Sequence, residues 1–169
     1  GDPLACVVES PFTDYGVLRG HARVSAPISA STGIMIGGYY NRGTGLRDPG
    51  FNTEKGGQIT ANLTHDFNGR GSLLVFARYL DDRGQWLLPI PVVTNGTDIS
   101  QYGDFNRGDA TLMGPETRVT TNLAGQRVDL ADGRGAKVFH TGISFDYELA
   151  DGLRFFLVAD GLSVGNAQQ

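Results

Sequence analysis

The sequence predicts an all-β fold, an antiparallel meander of about six or seven strands that forms part of a transmembrane β-barrel. Helical periodicity is almost absent. The chain contains 25 glycines, and every segment of about a dozen residues that could form an amphipathic helix is interrupted by at least one of them. Apolar and polar residues alternate instead, which puts them on opposite faces of a strand. The predicted connections are alternately short and long, which is typical of strands that cross a membrane.

The first half of the chain contains four of these strands and a candidate fifth. Residues 4–9 (LACVVE) are the candidate, and the alternation becomes clear in residues 16–26, where Leu18 and Val24 oppose Arg19 and Arg23. The segment GIMIGGYYNR predicts a strand over residues 32–42. In residues 55–66 apolar and polar positions again alternate, and a further strand is predicted over residues 72–81.

The second half contains the sharpest alternation, in residues 137–149. Phe139, Ile143 and Phe145 are predicted to share one face there, and His140 and Asp146 the other. A last strand is predicted over residues 153–162. Short turns are predicted at residues 27–31, 67–71 and 150–152, and long loops at residues 43–54 and 82–136. If the chain is part of a barrel, these two long loops are extracellular.

Two features favour the barrel over a soluble β-sandwich, which also alternates. Aromatic residues are predicted on the apolar face near strand ends, at Tyr39, Tyr40, Tyr79 and Tyr147. Charged residues occur well inside strands on the other face, at Arg23, Arg78, Asp146 and Asp160. A water-filled lumen accommodates such charges better than a dry core. A small self-contained outer-membrane barrel with a structural or adhesive role remains a further alternative.

The composition excludes several functions. Eighteen acidic against 14 basic residues argue against a nucleic-acid partner. Cys6 is the only cysteine, and three scattered histidines make zinc improbable. Residues 104–109 resemble the start of a calcium loop but lack its final glutamate. There is no Gly-X-Ser-X-Gly motif and no phosphate-binding loop, so no enzyme activity, metal or cofactor is predicted.

One long stretch resembles a known family. Residues 37–91 read GGYYNRGTGLRDPGFNTEKGGQITANLTHDFNGRGSLLVFARYLDDRGQWLLPIP. A GGYY strand, a GLRDPGF loop, a KGGQITANLTHDF strand, a strand ending YLDDR and an LPIP loop follow one another there. The segments DYGVLRGHARVSAPIS and VDLADGRGAKVFHTGISFDYELADGLRF add to the likeness. In order and spacing these segments resemble the early barrel strands of TonB-dependent outer-membrane receptors.

The resemblance implies uptake of a scarce nutrient, such as a siderophore, metal chelate, cobalamin or glycan, across the bacterial outer membrane. Its implied partners are outer-membrane lipid, the remaining barrel strands, a plug domain, TonB indirectly and a small-molecule ligand. Receptors of this family have about 22 strands around a plugged lumen, so residues 1–169 are expected to be one part of such a barrel. An isolated arc would leave two open edges, which lipid does not tolerate.

Four residues of the two long loops are predicted to lie near the ligand: Arg47, Asp82, Arg83 and Trp86. Binding residues gather on long loops held by a rigid scaffold. Trp86 is the best of the four, since its ring offers a large contact area at low entropic cost. Asp81 and Asp82 are not expected to act as an acid–base pair, because neighbours on a strand point to opposite faces.

Overall fold

A computed structural model describes residues 4–11, 16–105 and 110–167 of the chain. Within these residues there is no α-helix, and one 3-10 turn spans Leu130–Asp132. The strands are β1 (Ala5–Glu9), β2 (Val17–Ser29), β3 (Thr32–Gly43), β4 (Glu54–Asp66), β5 (Gly71–Gly84), β6 (Val92–Asn95), β7 (Asp98–Gln101), β8 (Val119–Thr121), β9 (Arg127–Asp129), β10 (Arg134–Ala150) and β11 (Leu153–Ala167). The prediction of an all-β fold is confirmed.

Seven strands form one antiparallel meander in the order β1-β2-β3-β4-β5-β10-β11. Every neighbouring pair is antiparallel, and β1, the candidate strand at the amino terminus, pairs with β2 through Cys6 and Val24. The sheet does not close, so β1 and β11 are its two free edges. The other four strands form two small hairpins, β6–β7 and β8–β9.

The register gives the sheet an apolar face and a polar face. Ile143 lies opposite Val75, Val75 opposite Leu63, and Leu63 opposite Ile34, so one row of apolar side chains crosses four strands. The charged residues predicted inside strands all lie on the polar face: Arg23, Arg78, Asp146 and Asp160. The predicted alternation of residues 137–149 is therefore confirmed.

Aromatic rings lie at both ends of the apolar face. Tyr79 and Phe139 are opposite each other near the loop edge, and Tyr40 lies one row further out. Near the short turns, the Phe67 ring packs edge-on against Phe145 at 5.7 Å and Tyr147 at 5.6 Å between centroids. Between these two groups, in the strands that the structure describes, the apolar face carries no Asp, Glu, Lys or Arg.

The prediction that Tyr39 shares this face with Tyr40 is wrong. Tyr39 lies opposite His21 and Gln58 on the polar face. Adjacent residues of a strand cannot point the same way, because the side-chain period is two.

Between β2 and β11 of the main sheet, the short turns lie at one edge and the two long connections leave the other. Turns at Ala30–Ser31, 67–70 and 151–152 join strand pairs at the first edge, called here the turn edge. Residues 44–53 and 85–133 leave the opposite edge, called the loop edge. The predicted loop 82–136 is wrong at both ends, because β5 runs on to Gly84 and β10 starts at Arg134. It also contains β6–β9, whose three- and four-residue strands are too short to show periodicity.

Candidate ligand site at the loop edge

Most of the deeply buried side chains lie at the loop edge rather than in the middle of the sheet. Among the described residues those of Asn41, Thr53, Gln85, Met113 and Ala131 are less than a tenth exposed. All five belong to strand ends at this edge or to the connections that leave it. The loops thus have a small core of their own, which holds them in one arrangement above the sheet.

Gln85, the residue after β5, joins the two long loops. Its amide nitrogen donates to the carbonyl oxygen of Thr44 at 3.2 Å and also to that of Arg47. Its amide oxygen accepts from the Arg47 backbone nitrogen at 3.1 Å. The Gln85 backbone nitrogen donates to Glu54 Oε1 at 2.9 Å. One buried amide therefore fixes the loop 44–53 against the end of β5.

Gly45 lets the loop approach Gln85 this closely. Its φ is +87°, and a Cβ atom there would lie 2.7 Å from Gln85 Oε1. Both the backbone conformation and the space exclude a side chain. Thr53 closes the same loop by donating from Oγ1 to the carbonyl oxygen of Thr44 at 2.6 Å.

Arg47, a predicted ligand residue, points into this assembly. Its Nη1 donates to the carbonyl oxygen of Leu88 at 3.2 Å, so it also ties the loop 44–53 to the segment after Trp86. Its Nε atom is buried and has no protein partner among the described residues. Asp48, next to it, caps its own turn by accepting from the Gly50 backbone nitrogen at 2.7 Å.

Asp82 and Arg83, two further predicted ligand residues, lie on opposite faces of β5. Asp82 is on the polar face and accepts from the Tyr39 hydroxyl at 2.9 Å. The Tyr39 ring in turn lies 3.7 Å below the Arg19 guanidinium carbon. This gives the polar face a connected Arg19–Tyr39–Asp82 group close to the loop edge.

Arg83 forms an ion-pair network on the other face. Its Nη1 lies 2.7 Å from Asp132 Oδ1, which also pairs with Lys55 Nζ at 3.4 Å. Asp81 lies 3.1 Å from Lys137 Nζ and 3.8 Å from Arg83 Nε. Asp82 accepts from the Arg83 backbone nitrogen at 3.0 Å. The side chains of Asp81 and Asp82 thus lie on opposite faces of β5 and do not converge, as predicted from their positions on the strand.

Trp86, the fourth predicted residue, is 45% exposed, and Leu87 beside it is 54% exposed. Trp86 directly follows the buried Gln85, so the Trp86 backbone is fixed while its ring is exposed. An exposed ring on a rigid support is the usual form of a contact residue. The structure therefore brings Arg47 and Trp86 to one loop assembly and separates Asp82 from Arg83.

A bidentate ion pair joins the residue before β8 to the last residue of β9. Arg118 donates from Nε and Nη2 to the Asp129 carboxylate at 2.9 and 2.8 Å. The hydrogen bond from Arg118 lowers the pKa of Asp129. Partial burial raises that pKa by a smaller amount, and a backbone hydrogen bond from Ala131 lowers it again. The carboxylate is therefore ionised throughout the neutral range.

Sequence reasoning missed Gln85, Thr53 and Tyr39. No short motif marks a buried glutamine, because its role depends on the backbone groups that the fold brings within reach. Tyr39, four residues before the end of β3, offered one signal, because its parity puts it on the face of His21 and Asp82.

Comparison with protein-family models, curated proteins and solved structures finds no match to the chain. No helix among the described residues is long and apolar enough to cross a membrane. Within residues 4–11, 16–105 and 110–167, no three His, Cys, Asp or Glu side chains are grouped so that they could hold a metal ion. Residues 106–109 of the calcium-like segment lie outside the described residues.

Proposed function

We propose that this chain is an arc of a TonB-dependent receptor in the bacterial outer membrane, and that the receptor takes up a scarce nutrient. The carrying observation is the two-faced sheet, with an apolar band between two groups of aromatic rings and charges on the reverse. From Phe139 to Tyr147 the band runs about 26 Å along β10, at ~3.3 Å per residue. Tilted as barrel strands are, it covers about 20 Å, and the aromatic rings extend it toward the ~25 Å of an outer-membrane band.

The distribution of connections supports the same proposal. Short turns at one edge and long, internally packed loops at the other are the pattern of barrels with short periplasmic turns and longer extracellular loops. The motifs from GGYY to LPIP in residues 37–91 are the reason for proposing TonB-dependent receptors in particular. Under this proposal the apolar face contacts lipid, the polar face lines the lumen, and the loop assembly around Gln85 lies at the outer mouth.

The nutrient is proposed to contact Trp86, with Arg47, Asp82 and Arg83 nearby. Siderophores, metal chelates, cobalamin and glycans all combine flat or apolar parts with polar groups, and an indole ring on a fixed backbone suits such ligands. Asp82 would face the lumen together with Tyr39. Arg83 would act from the outer rim, where Asp132 orients it.

The test is Trp86→Ala in the full receptor. We expect weaker binding of the transported nutrient by about fivefold or more, because truncating a contact aromatic residue at a binding hot spot costs over ~1 kcal/mol. Barrel assembly should be unchanged, since the ring is half exposed. Tyr102→Ala, which removes another exposed ring on the long loop, is the matched control. Equal effects of the two substitutions would contradict the placement of the site at Trp86.

A soluble β-sandwich binding module is the second candidate, and one observation favours it. β11 carries apolar residues on both faces, with Leu157 on one side and Phe156, Val158, Leu162 and Val164 beside Asp160 on the other. These four residues are 59–76% exposed, which a single sheet in water does not tolerate well. Sedimentation in buffer without detergent separates the candidates: a sandwich stays monomeric, and a barrel arc aggregates or requires detergent.

A further inference from the structure

A cavity of about 380 Å³ opens at the loop edge on the apolar face, just beyond the aromatic row. It is lined by Tyr40, Arg42, Phe51, Asn52, Lys55, Arg118 and Ala131. Tyr40 and Arg42 belong to β3 and Lys55 to β4, while the other residues come from both long loops. We call it the Arg42 cavity.

The lining of the Arg42 cavity is cationic. Arg42, Lys55 and Arg118 contribute three positive charges, and none of the described residues that line the cavity carries a carboxylate. Lys55 and Arg118 have acidic partners outside it, Asp132 at 3.4 Å and Asp129 at 2.8 Å. These carboxylates hold the two cations in place from behind and leave the cavity itself without an anion.

Arg42 has no carboxylate partner in the part of the chain that the structure describes. With the Asn52 amide turned so that its oxygen faces the guanidinium, that oxygen accepts from Arg42 Nε at 2.9 Å and Nη2 at 3.0 Å. A neutral amide orients the guanidinium but does not neutralise it. The remaining donors are free to bind an anion in the planar, bidentate way that arginine favours.

Two aromatic rings complete the site. Phe51 lies 5.7 Å from the Arg118 guanidinium carbon, measured to the ring centroid, which fixes the cation on one wall. Tyr40 lies one row beyond the rings of Tyr79 and Phe139, where the apolar face begins. A ligand in the cavity therefore has cations at one end and a continuous apolar surface at the other.

We propose that the Arg42 cavity binds the phosphate monoester headgroup of a lipid whose chains lie along the apolar face. A phosphate monoester carries up to two negative charges and three acceptor oxygens, which match one arginine fork and two further cations. Basic pockets at the level of lipid headgroups are established sites for such lipids. The proposal rests on the outer-membrane placement of this face, because only that placement brings lipid to the cavity.

The experiment measures flotation of the complete receptor, which supplies the strands that pair with β1 and β11, with phosphatidylcholine vesicles that contain a minor fraction of phosphatidic acid, a phosphate monoester. Vesicles with the same fraction of phosphatidylglycerol, a diester, control for general negative charge. Recovery of the chain should be several-fold higher with phosphatidic acid. Arg42→Gln should remove this preference, a loss of about tenfold in affinity or ~1.4 kcal/mol. Arg78→Gln, which removes a strand arginine from the polar face, should retain it.

Each result decides something. Flotation with every vesicle but no preference for phosphatidic acid overturns the cavity proposal and leaves the membrane arc standing. No flotation with any vesicle overturns both. If the receptor binds inorganic phosphate as tightly as it binds phosphatidic acid in vesicles, the acyl chains contribute nothing, the cavity is a site for free phosphate and the lipid proposal is wrong. Lys55→Gln is the second variant, and a preference that survives both Arg42→Gln and Lys55→Gln also contradicts the cavity.

Discussion

Gln85 is 3% exposed and uses both its amide nitrogen and its amide oxygen within the loop assembly. Removing a buried amide of this kind lowers stability, because the buried backbone groups that were bonded to it then lose a hydrogen-bond partner. The Gln85 amide bonds to the carbonyl oxygens of Thr44 and Arg47 and to the Arg47 backbone nitrogen, and the Thr44 oxygen also accepts from Thr53 Oγ1. The first long loop is therefore held by one side chain outside it together with the internal contact of Thr53.

Gln85→Ala should raise the rate of amide hydrogen exchange in residues 44–53 by roughly thirtyfold, which corresponds to about 2 kcal/mol of lost local stability. The centre of β4 should be unaffected. Gln101→Ala is the matched control, since Gln101 is exposed and its amide nitrogen donates to the carbonyl oxygen of Gly103, two residues along the chain, at 2.6 Å. Unchanged exchange in residues 44–53 would show that the loop does not depend on Gln85.

The Arg118–Asp129 pair predicts a pH dependence for the β8–β9 hairpin. Folding lowers the pKa of Asp129, so the pair stabilises the hairpin above the ordinary Asp range near ~3.9. That stability is lost as the pH falls through the lowered pKa of the folded state. Hydrogen exchange of residues 119–129 should therefore accelerate between about pH 5 and about pH 2 beyond its intrinsic change. Asp129→Asn should exchange fast and without this extra acceleration; wild-type exchange with no such step would contradict the assignment.

What the sequence reveals at the residue scale depends on exposure. Trp86 could be proposed as a contact residue because exposed tryptophans are rare and large. Arg47 was also proposed as a contact residue, yet its Nη1 and backbone nitrogen bond to Leu88 and Gln85. Gln85 itself could not be found, because a glutamine becomes structural only when the fold surrounds it with backbone groups.

At the scale of the element, β10 carries the clearest test of the two faces. Ile143 lies between Val75 and Ala159 on the apolar face. Ser144 lies on the polar face between Leu74 and Val158, with Asp146 two residues along and Asp160 diagonally across on the neighbouring strand. An arginine at Ser144 would thus have two carboxylates beside its apolar neighbours, whereas an arginine at Ile143 would lie directly between two apolar side chains.

Ile143→Arg should impair membrane insertion by about 2–4 kcal/mol, the cost of a cation at the midplane of a lipid-facing strand. Ser144→Arg should insert nearly as well as the wild type. Folding of the complete receptor in vesicles, followed by urea titration, measures both. Equal tolerance of the two substitutions would contradict the assignment of the apolar face to lipid.

Element positions in the main sheet were predictable because long strands repeat the period of two many times. Residues 137–149 show it six times over, and the structure extends that strand only to Arg134–Ala150. The hairpins β6–β7 and β8–β9 were not predictable, since three or four residues carry too little pattern. Tyr39 was misplaced because a Tyr-Tyr pair was treated as one aromatic group, although its members must diverge.

At the scale of the whole molecule, the two edge strands of the open sheet show where further strands would have to pair with it. β1 and β11 have unpaired edges, and β11 carries apolar residues on both faces. Lipid offers no hydrogen bonds to such edges, so further strands must pair with them if the sheet spans a membrane. The sequence predicted the meander and its strand number, but closure depends on contacts beyond these seven strands.

The orientation of the sheet tests the central claim most directly. Ala30 lies in a short turn at the turn edge, and Thr97 lies at the tip of the β6–β7 hairpin beyond the loop edge; both are exposed. Ala30→Cys and Thr97→Cys are introduced separately into a Cys6→Ser background, because Cys6 is an exposed free thiol. Whole cells are then treated with a membrane-impermeant thiol reagent. We predict that Thr97→Cys reacts on intact cells and that Ala30→Cys reacts only after the outer membrane is permeabilised. Labelling of Ala30→Cys but not Thr97→Cys on intact cells, or equal labelling of both, would contradict the account.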